Sequence, residues 1–279
     1  HVTAHNKDGS YATQSARKET LLMSAKDLTS CGYNKVSPKN FGARHATLLS
    51  NFWKEKGISN ATIKNRLAHL RWYASAINKP TAIPRNNDLF VQRRTYTSNE
   101  NNKAKDLDLD KLDALTDRQN LSLKLQRFFG LRREESLKFN PMVATKKDNK
   151  IVLKASWCKG GRTRDVIIRT QAQKDLLDQC KALVGNNSMI EKGSNYINAR
   201  DALDKACQRA EIKNMHGFRH AYAQERYQEI TGHLSPKQGG IISKDMSAEQ
   251  KIIDSNARLI ISKELGHSRE EITVIYLGK

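Results

Sequence analysis

Apolar residues recur at helical spacing along most of this chain. Between positions 59 and 77, Ile63, Leu67, Leu70, Ala74 and Ile77 share one face, Ser59 stands where an N-cap belongs, and Lys64 and Arg71 lie seven apart on another face. One face can pack while the other meets a polyanion, and the first ~90 residues read as all-helical on this pattern. Pro80 and Pro84 are expected to stop the helix, and the Asn-rich stretch from Thr95 to Lys105, without large apolar residues, reads as a linker. Helical patterning resumes at Leu107–Leu115, followed by an apolar segment from Leu121 to Phe129 that Gly130 ends. The runs Ile151–Trp157 and Asp165–Ile168 favour strands. They flank Cys158-Lys-Gly-Gly-Arg-Thr-Arg164, whose paired glycines suit a tight turn, placing Lys159 at a hairpin tip.

From Gln171 onward helices dominate again. The last long one should run from Ser247 to Glu264, with Ser247 and Gln250 as a capping box and Ile252, Ile253, Ile260 and Ile261 as its apolar face. Ahead of it, Thr231 to Asp245 has the Gly, Pro, Ser and Lys mixture of a loop. The pattern predicts a mainly α protein with a small β-hairpin, in the α+β class: a helical domain over 1–94, a linker over 95–106 and a second domain over 107–279.

Charge changes this picture most. Against 29 acidic residues stand 49 Lys and Arg, a net +20 shared about equally between the first hundred residues and the rest. Both domains are therefore expected to touch a polyanion. No apolar run reaches the ~20 residues that cross a bilayer, and the N-terminal sequence lacks a signal-peptide layout, so the cytoplasm is expected. Cys31, Cys158, Cys180 and Cys207 are scattered, without zinc spacing or a disulfide framework, and read as reduced thiols near the core.

The candidate chemistry lies near the C-terminal end of the sequence. Tyr276 follows a Leu265-Gly-His267-Ser268 turn by one short helix, downstream of Arg132, Lys159 and a His216-Gly-Phe-Arg219-His220 cluster. Covalent cleavage of a phosphodiester needs a nucleophile, donors for the charge that grows on phosphorus, and an acid for the leaving oxygen. Tyr276 can attack, Arg132 and Arg219 can offer guanidinium forks to the non-bridging oxygens, and Lys159 can protonate the leaving group. A free phenol titrates near pH 10, so holding it as phenolate at pH 7 costs ~4 kcal/mol, which His216 or His267 as proton acceptor and the two arginines must offset.

Gly130-Leu131-Arg132-Arg133-Glu134-Glu135-Ser136-Leu137, Lys159-Gly-Gly-Arg162-Thr-Arg164, His216-Gly-Phe-Arg219-His220, Leu265-Gly-His267-Ser268 and Tyr276-Leu-Gly278 resemble, in order, the motifs of the tyrosine recombinase (phage integrase) family. The resemblance covers about residues 107–279. It implies a helical core-binding domain and a catalytic domain that clamp double-stranded DNA, cleavage through a 3′-phosphotyrosine, and strand exchange through a Holliday junction in a homotetramer, without metal or other cofactor. The setting would be integration or excision of a mobile element at specific recombination sites, with an accessory DNA-bending protein as a further candidate partner. By the same resemblance Arg132, Lys159, His216, Arg219, His267 and Tyr276 would be catalytic, and Glu135 would support them. Two departures stand out. The stretch from His216 to His267 is long, with 231–245 as the insertion, and three residues follow Tyr276 where many relatives continue into a tail that docks on a neighbour.

Blander readings compete at single positions. His220 reads as a packing or hydrogen-bonding residue beside the site. His216 and His220 share a helical face, but the glutamate of a zinc-protease motif is absent, Gly217 standing there. Tyr222, Tyr227, Trp53, Trp72 and Trp157 read as core, and His233 as a loop residue. Arg162 and Arg164, with Lys64 and Arg71, are the expected DNA contacts. A type IB topoisomerase would use similar groups, and a non-enzymatic DNA-binding regulator would account for the charge but have no use for Tyr276.

Overall fold

A computed structural model describes residues 2–92, 99–147 and 149–279. The chain divides into two compact units, residues 1–95 and 96–279. The smaller holds α1 (Val2–His5), α2 (Tyr11–Ser30), α3 (Ala43–Glu55) and α4 (Asn60–Ala76). Ser59 caps α4 by accepting from the Thr62 amide, and Ile63, Leu67, Leu70 and Ala74 are buried against Leu28, Leu49 and Trp53. The helix stops before either proline: Asn78 takes φ +59°, and the amides of Asn78 and Lys79 return to the Ser75 and Ala74 carbonyls. Arg71, expected at DNA, is half-buried and bonded within its own unit. Its Nη2 donates to the Pro84 carbonyl at 2.6 Å and Asn86 Oδ1 at 2.9 Å, fastening the following segment over α4. Lys64 is half-buried.

In the larger unit, α5 (Leu109–Leu112) is a single turn, less than the patterning of 107–115 suggested. Then come α6 (Asp117–Phe129), α7 (Arg133–Lys138), α8 (Pro141–Ala144), β1 (Lys150–Leu153), β2 (Arg164–Ile167), α9 (Gln171–Val184), α10 (Tyr196–Arg209), α11 (His216–Thr231), α12 (Ala248–Glu264) and α13 (Val274–Leu277). Helix α6 is the centre of packing. Its Leu121, Leu125 and Phe129 join a cluster with Ile151, Val166, Leu177, Tyr222 and Ile261, while Leu123 faces a second cluster with Leu137, Leu203 and Phe218. Being apolar on two sides, it is buried from both.

The antiparallel pair β1–β2 sets Ile151 opposite Val166 and Leu153 opposite Arg164. The connection is not the tight turn that the glycines suggested. It runs over 154–163 through two 3-10 turns, Ala155–Trp157 and Lys159–Gly161, because Trp157 and Cys158 dip back into the core after β1 ends. Helix α12 has the expected Ser247–Gln250 box but a different buried face. Ile261 is covered, whereas Ile252, Ile253 and Ile260 are exposed. Asp254, Arg258 and Glu264 go inside instead, since Tyr227 donates to Asp254, Arg258 pairs with Asp254, and Tyr222 donates to Glu264. Paired polar groups took the interior that apolar spacing alone assigned to isoleucines.

Of the expected linker, residues 95–98 lie outside the described residues. Positions 99–105 form a strap along the larger unit: the Lys105 amide donates to the Gly217 carbonyl at 3.1 Å, and the Asn102 and Gln224 amides exchange hydrogen bonds at 3.2 and 2.8 Å. The insertion between α11 and α12 is a loop with short 3-10 turns at Pro236–Gln238 and Ser243–Asp245, anchored by buried Ser235, Pro236 and Lys237. No helix among the described residues is long and apolar enough to cross a membrane.

Candidate active site

Three helix ends converge to build the site. At the first, α6 closes on Gly130 in the left-handed conformation, φ +60°, and the buried Gly130 carbonyl accepts from Arg219 of α11. Arg132 then caps α7, with Glu135 reaching back from the third helical position to accept from the Arg132 amide at 2.6 Å. At the second, α12 ends in a Schellman turn: the Gly266 amide returns to the Lys263 carbonyl and the His267 amide to the Ser262 carbonyl, with Gly266 at φ +67°. The third is the start of α11, which carries His216, Arg219 and His220 in its first two turns and directs its positive dipole end into the same region.

Arg219 joins all three. It is almost fully buried, donating Nη1 to the Gly130 carbonyl, Nη2 to the Leu265 carbonyl and Nε to Tyr276 Oη at 3.2 Å. Arg132 shares the Leu265 carbonyl through Nη2 at 3.2 Å and holds Glu135 Oε1 through Nη1 at 2.8 Å. One backbone oxygen thus yokes two guanidinium groups. Only Arg132, with its side chain 22% exposed, retains an open side. Both guanidinium groups already hold protein oxygens, but Arg132 keeps a partly exposed side, whereas Arg219 is buried and spent on carbonyls and on the phenol.

Tyr276 lies 4% exposed among His216, His220 and His267, with ring centroids 6.2, 4.7 and 6.0 Å from its own. His267 Nε2 is 3.3 Å from Tyr276 Oη. Arg219 Nε donates to Tyr276 Oη, and His267 Nε2 accepts the phenol proton when the imidazole is neutral with its own proton on Nδ1. Burial first, then Arg219 and Arg132, push the His267 pKa down to about 4, so the ring is neutral at physiological pH. His216 is lowered by the same three causes, and His220, buried beside it, is pushed down to about 3.

Arg164 differs from expectation. It is buried, pairs with Glu135 through Nη2 and donates Nη1 to the Glu264 carbonyl, so it braces the site and does not face DNA. Strand alternation carried this signal, since Arg164 shares a face with buried Val166. Burial raises the Glu135 carboxyl pKa, but Arg164, Arg219 and Arg132 outweigh it and hold the group below the usual carboxylate range. Arg162 is exposed and donates to Ser268 Oγ at 3.3 Å. With Lys263 and His267 it lines an open cleft of about 300 Å³ beside the site. Lys159 is exposed in the long hairpin connection, and among the described residues no hydrogen bond or ion pair ties it to the Tyr276 cluster.

Two family models match the chain: "Phage integrase, N-terminal" over residues 1–81 and "Integrase" over 96–225. The chain belongs to the tyrosine recombinase, or phage integrase, family. Solved structures with a similar fold include a lambda integrase dimer bound to a COC′ core site, with 13% identity over 99% of this chain and 75% of that one and a TM-score of 0.62. The Tn1549 transposon integrase in complex with circular intermediate DNA gives 0.60, with 12% identity over 99% and 92% of the two chains. XerH site-specific recombinase bound to a palindromic difH substrate in a post-cleavage complex gives 0.54, with 19% identity over 92% and 72%. A sequence search of curated proteins returned no match. The role of the Leu265 carbonyl, and Lys237 altogether, were not singled out from the sequence. Nothing in their side chains marks a backbone oxygen as a bridge, or a loop lysine as buried.

Proposed function

We infer that this chain is a site-specific recombinase that cuts and rejoins DNA through a 3′-phosphotyrosine on Tyr276. The observation that carries the reading is the phenol oxygen held between Arg219 Nε at 3.2 Å and a neutral His267 Nε2 at 3.3 Å, beside a partly open Arg132. Tyr276 Oη attacks phosphorus as its proton passes to His267. The P–O5′ bond breaks, and the leaving 5′-oxygen takes a proton from an acid, for which Lys159 on its exposed loop is the candidate. Arg132 meets the non-bridging oxygens, while Arg219 balances charge on the phenol oxygen from below. The tyrosyl ester conserves the energy of the broken phosphodiester, so a 5′-hydroxyl from a second duplex can reverse the step without nucleotide hydrolysis.

On this reading the partner is duplex DNA carrying specific recombination sites, engaged by a homotetramer, and integration or excision of a mobile element is the process served. The solved relatives bound to DNA, including a lambda integrase tetramer on a Holliday junction, support it. The test is strand exchange between two duplexes selected for binding. The parent should produce recombinant joints and Tyr276→Phe none, with DNA affinity unchanged. Relaxation of supercoils without exchange would point to a topoisomerase, and binding without any cleavage to a regulator.

A further inference from the structure

Tyr276 stands on a single α-turn that continues the 3-10 turn Glu270–Thr273, and so short a helix is not held in place by its own backbone bonds alone. Its position is set by the packing of Tyr276 and Leu277 in the core and by whatever takes its carbonyls. The Val274 carbonyl accepts from the Gly278 amide. The Val274 amide returns to the Glu271 carbonyl of the 3-10 turn Glu270–Thr273, and four further carbonyls at this end accept from distant side chains: Ile275 from Lys237 Nζ at 2.9 Å, Tyr276 from Gln224 Nε2 at 3.0 Å, Gly278 from Arg258 Nη1 at 3.0 Å, and Lys279 from Asn99 Nδ2 at 3.3 Å. Gln224 and Arg258 belong to α11 and α12, which build the site in any case. Lys237 comes from the insertion loop.

Lys237 is unusual in its own right. It is 8% exposed, and among the described residues no carboxylate pairs with it; its ammonium bonds instead to the Ile275 carbonyl and, at 3.3 Å, to the Asn101 carbonyl of the strap. A buried lysine without a counter-ion is costly, and burial, with Lys103 nearby, pulls its pKa below the usual lysine range. The surrounding structure is fitted to this side chain. A Cβ on Gly278 would come within 3.1 Å of Lys237 Cγ and within 2.6 Å of Asn99 Oδ1. Such an arrangement ties three pieces of chain together, the loop, the strap and α13, at one ammonium.

We propose that Lys237 is a positioning residue for Tyr276: the 232–247 loop carries its ammonium under α13 and so fixes the phenol against Arg219 and His267. This rests on the reading of Tyr276 as the nucleophile. It assigns the insertion a task within its own catalytic unit.

The test compares the parent, Lys237→Met and Lys237→Arg in three measurements: affinity for a selected duplex, the single-turnover rate of covalent adduct formation at saturating DNA, and hydrogen exchange of the amides from 274 to 278. Misplacing a reacting atom by about 1 Å costs on the order of 100-fold, so Lys237→Met should cleave about 100-fold more slowly. Its DNA affinity should be unchanged and exchange at 274–278 faster, while Lys237→Arg recovers part of the rate and of the protection. A folded Lys237→Met that cleaves at the parental rate, or faster, overturns the proposal. If Lys237→Met does not fold, the parent decides: amides at 274–278 that exchange as freely as an unstructured peptide overturn it, and protected ones support it. Should the parent form no adduct on any DNA, the recombinase reading fails, whereas the exchange contrast between parent and variant still judges whether Lys237 holds α13.

Discussion

Glu135 shows what single residues contribute here. Its carboxylate is fully buried, and Arg132 and Arg164 pair with it directly. Removing one partner of a buried ion pair leaves uncompensated charge and typically costs ~3–5 kcal/mol. Glu135→Ala should therefore lower the unfolding free energy from denaturant titration by that order and abolish cleavage, and a variant within ~0.5 kcal/mol of the parent would mean that the arginines are held by something else. The histidines make a second prediction, with a definite sign. His220 and His267 are neutral in the folded chain, with pKa values of about 3 and about 4, whereas an unfolded histidine titrates near 6.5. The unfolded chain binds the extra protons, so their contribution is fully present above pH ~6.5 and is lost as pH falls toward the folded values, at up to ~1.4 kcal/mol per pH unit for a ring as buried as His220. Denaturant titrations at pH 7 and pH 5 should show the parent losing more stability than His220→Gln. An equal loss would place a protonated ring in the folded site.

Among the elements, the end of α6 is the most exacting. Gly130 has φ +60°, and a Cβ there would lie 2.6 Å from Tyr222 Cδ1, while its carbonyl is the one Arg219 Nη1 uses. Gly130→Ala should cost at least ~1 kcal/mol in stability and considerably more in cleavage, because the same shift moves the arginine; parental cleavage rates would show that this carbonyl is dispensable. Much at this scale was legible in the sequence. The Ser59 cap, the Ser247–Gln250 box, the stop at Gly130 and the short helix under Tyr276 all follow from local rules acting within a few residues. What stayed hidden depends on distant partners. Arg164 is buried because Glu135 and the Glu264 carbonyl come to it from 29 and 100 positions away, and Asp254 and Arg258 displace isoleucines because Tyr227 and the Gly278 carbonyl arrive from other elements. A periodicity argument ranks residues by polarity and is blind to such pairing. The candidate site was readable as a set of residue types in order, but its wiring through the Gly130 and Leu265 carbonyls was not, since backbone oxygens leave no mark in a sequence.

For the whole molecule, the net charge of +20 makes DNA binding an electrostatic matter. If about 6–10 phosphates are contacted, raising salt from about 50 to 200 mM should weaken binding by ~10³–10⁵. A flat response in a fluorescence titration would rule out extensive backbone contact. The central claim, however, is the covalent bond, and the most direct measurement is to trap it. The protein is incubated in EDTA with a randomised library of duplexes, each nicked so that the leaving strand diffuses away and religation cannot occur. Denaturant-resistant adducts are then recovered, and the modified peptide and the DNA end are identified by mass spectrometry. The account predicts an adduct at Tyr276 on a 3′-phosphate, absent from Tyr276→Phe. Tight, salt-sensitive binding that leaves no adduct, or an adduct on any other residue, would contradict it.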